Sequence, residues 1–177
     1  MSEQPKNNGQ VTLLQTQLNY FSGSFLEMVD GLSDEVLHHQ PAGKANSIAA
    51  TVGHVLVVVD SIVNGLLSQQ APIFTTMPTG LSELPPSGAE LFNWYEWVTR
   101  VTINLAEASE YGTAVFQSMN AYLETLSDEQ LHETIQTPAG ENSIFGMLGT
   151  VVLSNLAVHA GEIATLKGQH NLKGYSM

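Results

Sequence analysis

Apolar residues recur at spacings of three and four through several long stretches of the chain, and almost no segment alternates with period two over the length of a strand. That periodicity predicts an all-α fold. The first helix is expected from about Gln10 to Asp30, with Leu14, Leu18, Phe21, Phe25, Met28 and Leu32 along one side and Gly31 as its stop signal. A second begins after Asn46 or Ser47, both suited to an N-cap, and continues to about Gln70. Pro72, Pro78, Pro85 and Pro86, with Gly80 among them, break helix and predict a long crossover from Ala71 to Pro86. Helical pattern resumes at Ser87 and lasts to about Leu126. This is long for a globular helix, so a break is expected around Trp94-Tyr95-Glu96-Trp97, which reads as a short helix of its own. The last helix starts after Asn142 or Ser143 and ends near Gly168, where Lys167 suits the carbonyl end of its dipole.

An internal repeat supports this division. GLSDEVLHHQPAGKANSI, residues 31 to 48, recurs as TLSDEQLHETIQTPAGENSI, residues 125 to 144. Each copy carries a Ser-Asp-Glu cap after a helix, a Pro-Ala-Gly turn and an Asn-Ser cap before the next. Two helix pairs related by a pseudo-twofold axis are expected, giving a four-helix bundle with one long crossover between helices two and three. A chain of 177 residues forms one domain with a single core, preceded by a flexible start over residues 1–9.

Composition narrows the chemistry. Five Lys and Arg against seventeen Asp and Glu give a net charge of −12, which repels a phosphate backbone and argues against nucleic acid. Without cysteine there is no disulfide, thiolate ligand or cysteine nucleophile, as a cytoplasmic protein permits. The polar start has no signal-peptide core, and the apolar run from Ile48 to Val59 is read as too short to span a membrane. With 43% apolar and 12% charged residues, little charge is left to cover the surface, so a homodimer is expected.

The candidate chemistry lies in the last helix. Asn155, His159 and Glu162 stand at i, i+4 and i+7, within roughly 60° of one another on a helix turning about 100° per residue. The same face carries Ile144, Leu148, Val151, Val152, Ile163 and Leu166, so three polar groups are aimed at the interior, where unpaired polar atoms are costly. A metal, a ligand pocket or a satisfied hydrogen-bond network would each compensate them. His54 lies off the main apolar stripe of its helix (Ile48, Val52, Val55, Val59, Ile62, Leu66), on a side that could still meet the fourth helix. His38, His39 and His132 read as structural or solvated, and His170 has no partner in sequence. Phe92, Trp94, Tyr95 and Trp97 read as packing or dimer contact, and Asp60 with Asn64 as an ordinary polar face. There is no Gly-rich phosphate loop, nucleophile elbow, H-E-x-x-H or EF-hand.

The LSDE, PAG and NSI junctions, the histidine in the second helix and the closing HAGEIATLKG together resemble the DinB-like (DinB/YfiT-like) family. The resemblance covers most of the chain. It implies a four-helix bundle in which one histidine of the second helix and two of the fourth bind a divalent metal, most often nickel or zinc. Carried over, the ligands are His54 and His159, and the remaining position falls on Asn155, a weaker ligand than imidazole. Glu162 would complete a two-His, one-carboxylate set. Relatives include thiol-dependent transferases and a maleylpyruvate isomerase that use low-molecular-weight thiols such as mycothiol or bacillithiol. The resemblance therefore implies a metal-dependent enzyme that lowers the pKa of a bound thiol or water for attack on a small electrophile. The other reading is a non-catalytic dimeric bundle, or a small-molecule-binding protein, with a degenerate metal site.

Overall fold

The structure, a computed structural model, describes residues 8–86, 94–137 and 139–175. Most of residues 1–9, the Ser87–Asn93 part of the expected third helix, Phe92 and the proline of the second Pro-Ala-Gly turn lie outside them. Four long helices dominate. Helix α1 is Gly9–Val29, ended by Gly31 at a φ of 68°, a left-handed conformation glycine adopts without strain. After the short α2, Asp34–His38, helix α3 runs Ile48–Asp60 and widens into a π-helix, Ser61–Leu67. The expected break falls between α4, Trp94–Val98, and α5, Leu105–Thr125, where Asn104 Oδ1 accepts from the Glu107 amide and caps α5. The last helix opens as a π-helix, Gly146–Val152, and continues as α6, Leu153–Gln169. Helices α1 and α3 each pack against both α5 and α6.

The all-α expectation needs one correction. Thr134–Thr137 (β1) and Gly140–Ser143 (β2) form an antiparallel hairpin, with Thr134 opposite Ser143 and Thr137 opposite Gly140. The two repeat copies therefore share caps but not a path. Ser33 Oγ accepts from the Val36 amide as Ser127 Oγ accepts from that of Gln130, and Leu37 and Leu131 are both fully buried. Ser47 and Ser143 likewise cap the helices that follow, accepting from the amides of Ala50 and Gly146. Between these caps the second copy is longer and contains the β-branched run Thr134-Ile135, which favours extended backbone, and Gly140 at a φ of 111°. Asp128 of that copy reaches across to cap α1, accepting from the amides of Gln10 and Val11.

Helix α3 is central. Eleven of its thirteen residues are buried, so little of its surface meets solvent, as expected of an element packed on most sides. One side joins the main core of α1, α5 and α6, while Ala50 and Val57 pack with Trp97, Val98 and Val101. With the π-helix, the apolar helical stretch extends through Ile48–Leu67, longer than the sequence alone suggested. It and Gly146–Gln169 are long and apolar enough to cross a membrane by length and composition, a property that buried core helices share. The wider π turn also moves the buried stripe: Val63 and Asn64 are buried in place of the expected Ile62 and Leu66.

The crossover is fastened rather than loose. Asp60 is fully buried, and its carboxylate accepts from the amides of Ile73 and Phe74, from Asn64 Nδ2 and from the Tyr111 hydroxyl. Asn64 Oδ1 in turn accepts from Ser118. The polar face expected at Asp60 and Asn64 is thus an interior tie between α3, the crossover and α5. Further on, Gly80 has a φ of 72° and lies so close to α5 that a Cβ would fall 2.5 Å from the Asn104 carbonyl oxygen. The Leu81–Ile103 bridge beside it is held by the Ile103 amide donating to His38 Nε2, which makes His38 a structural group.

Candidate functional site

Helix α3 contributes His54, α6 contributes Asn155, His159 and Glu162, and α4 contributes Trp94. Helix α3 is buried over most of its surface, and its partly exposed side bearing His54 faces α6 and α4. Its ring lies edge-on to His159, with centroids 5.0 Å apart, and edge-on to Trp94 at 5.4 Å. Trp94 in turn meets Trp97 edge-to-face at 5.3 Å. The structure thus brings together all four residues singled out in the sequence and adds an aromatic wall that had been assigned to packing.

The polar atoms are unevenly satisfied. The Asn155 amide nitrogen lies 3.4 Å from His54 Nε2, while His54 Nδ1 and Asn155 Oδ1 are buried with no hydrogen-bond partner among the described residues. Such orphans are uncommon in folded proteins, and a water or a polar ligand would pair them. His159 Nδ1 pairs with Glu162 Oε2 at 2.6 Å, a charge-assisted contact one helical turn long. Burial first, and the neighbouring His159 second, push the His54 pKa down to about 4, with Glu162 partly offsetting them. His54 is neutral at physiological pH.

Glu162 departs from expectation. Its side chain is 51% exposed, whereas that of His159 is 20% exposed, so the carboxylate stands at the rim instead of pointing inward. The buried stripe of α6 is Leu156, Ala160 and Ile163, continuing Leu148 and Val152, and the polar triad flanks it. The π-helix at Gly146–Val152 is the cause: a regular 100° step carried from Ile144 loses phase across the wider turn.

A cavity of about 550 Å³ adjoins the triad at Glu162 and is lined also by Lys44, Asn46, Thr51, Thr165 and Gln169. His54, Asn155 and His159 do not line it, so the cavity reaches the site only through the carboxylate. Sequence reading missed these lining residues. Lys44 and Asn46 lie in the first junction, far in sequence from α6, and no spacing rule joins them.

The sequence profile of the DinB superfamily matches residues 17–163, most of the chain and both helices of the site. This chain belongs to the DinB superfamily. Among solved structures it is similar to a conserved protein from Enterococcus faecalis, with a TM-score of 0.74, 18% identity and coverage of 88% of this chain and 94% of that one. A DinB-like protein from Bacillus cereus ATCC 10987 gives 0.65 at 16% identity, covering 93% and 95% of the two chains. An uncharacterised protein from Clostridium difficile 630 gives 0.66 at 13% identity, covering 93% and 98%. These identities establish a shared fold. No curated protein matches the chain.

The metal expected from the resemblance can be tested against the donors present in this DinB-superfamily member. Among the described residues, no three His, Cys, Asp or Glu side chains are grouped to hold an ion. Two imidazoles face each other, but Asn155 offers an amide in place of a third, and Glu162 is engaged with His159 Nδ1. The set does not fit a three-ligand His/carboxylate centre.

Proposed function

We propose that this DinB-superfamily protein is a small-molecule-binding helical bundle whose central site is a degenerate metal centre, with His159 and Glu162 as its acid–base pair. The observation that carries this reading is the 2.6 Å contact between them. A carboxylate holding Nδ1–H fixes the ring and leaves Nε2 as the proton acceptor. Neutral His54 and the Asn155 amide stand beside it, each with an unsatisfied buried atom that a polar ligand would pair. The cavity at Glu162 gives a small molecule room beside the carboxylate of the pair.

One feature favours a second reading. Proteins commonly orient a metal-bound imidazole by a carboxylate on its other nitrogen, and Asn155 Oδ1 is free to join two imidazoles. Nickel or zinc held weakly in this way is the reading allied to the thiol-dependent transferases and isomerase of the family.

Elemental mass spectrometry of untagged, chelator-free protein separates the two. The degenerate-site reading expects wild type to carry no stoichiometric nickel or zinc at this site. Asn155→His, which completes the three imidazoles, should gain about one equivalent and lose it again when His54→Ala is added. A full equivalent in wild type, lost in both His54→Ala and His159→Ala, would overturn it in favour of the metal. Ligand binding has its own optical readout, because both tryptophans of the chain, Trp94 and Trp97, belong to the wall beside His54.

A further inference from the structure

We propose that His39 and His170 form a second, two-histidine site for a divalent first-row transition-metal ion, separate from the DinB centre. His39 is the C-cap of α2 and His170 the C-cap of α6, so only the tertiary fold brings them together. Their rings are 4.7 Å apart between centroids, slightly closer than the 5.0 Å of His54 and His159. Two imidazoles bound side by side to one ion at about 2.0–2.1 Å hold their centroids roughly 4.5–5 Å apart. The spacing therefore fits a shared ion once the rings rotate to turn their lone pairs inward.

Access and charge agree with this assignment. His39 is exposed and His170 half-buried, and neither ring makes a hydrogen bond among the described residues. His170 also sits at the carbonyl end of a helix of seventeen residues, where the dipole favours a cation. The chain as a whole carries −12. Lys167, three residues before His170, donates its ammonium to the Met28 carbonyl at 2.6 Å. With water completing the shell, two imidazoles and no thiolate favour copper(II) over nickel or zinc.

The test uses untagged full-length protein carrying His54→Ala and His159→Ala, which removes the DinB imidazoles and makes the result independent of the central site. Titration with Cu²⁺ by calorimetry should give about one equivalent in the micromolar range. Adding His39→Gln or His170→Gln should weaken it at least about tenfold with the circular dichroism unchanged. In wild type, sub-stoichiometric Cu²⁺ should broaden the imidazole proton resonances of His39 and His170 together. No binding in the double variant, a Kd indifferent to both glutamine substitutions, or broadening confined to other histidines would each overturn the site.

Discussion

At the scale of single residues, the charge state of His54 makes a measurable claim. Its folded pKa of about 4 lies below the ordinary 6.5, so the unfolded chain binds a proton that the folded one refuses. The associated stability is complete above pH 6.5, falls as pH drops toward 4, and amounts to at most about 3 kcal/mol. Thermal unfolding followed from pH 7.5 to 4.5 should show a smaller acid loss in His54→Ala than in wild type; parallel curves would refute the desolvated site. Legibility at this scale was uneven. Asn155, His159 and Glu162 were visible because helical spacing is local, although Glu162 stands at the rim and not toward the interior. The pairing of His159 with Glu162, the contact of His54 with α6 and the aromatic wall of Trp94 depend on how helices meet. Asp60 was misread for the same reason: three of its four donors come from the crossover and α5, which no local pattern connects.

Among the elements, caps and ties explain how the site is held. Asp60 joins α3 to the crossover and to α5 through three donors, the Ile73 and Phe74 amides and the Tyr111 hydroxyl, with Asn64 Nδ2 of its own helical stretch as a fourth, and removing the carboxylate takes the acceptor from all of them. Asp60→Ala should therefore cost about 3–5 kcal/mol and open the Pro72–Pro86 crossover to proteolysis. An unchanged urea midpoint and an intact crossover would show the tie to be unimportant. Asp128 acts more locally, as an N-cap borrowed from a distant junction. Asp128→Ala should cost about 1–2 kcal/mol, with faster amide exchange concentrated in the first turn of α1. The π-helices have a geometric effect. Each shifts the phase of the residues beyond it, which explains why Val63 replaces Ile62 in the core and why Glu162 reaches the rim. Apolar spacing at three and four carries no cue to them, because it presumes regular α turns throughout.

At the scale of the molecule, a charge of −12 on 177 residues opposes compaction through self-repulsion. Raising ionic strength from about 0.01 to 0.5 M, which shortens the screening length from about 30 Å to a few ångströms, should raise the Tm. A Tm that falls with salt would mean that attractive pairs outweigh this repulsion. The described ion pairs suggest otherwise, since Arg100–Glu83 is solvent-facing and worth little. The sequence by itself determined the helical class, the long helices to within a few residues, the broken third segment, the repeated serine caps and the polar triad of α6. All of these rest on periodicity, proline and glycine chemistry, or caps within four residues. Only the tertiary structure decided that one repeat copy becomes a hairpin and that Asp60 is an interior tie. It also decided that His54 meets His159 while Glu162 stays at the rim, and that His39 meets His170. Each of those outcomes depends on which surfaces of different helices are pressed together, and burial and desolvation exist only once that packing has formed.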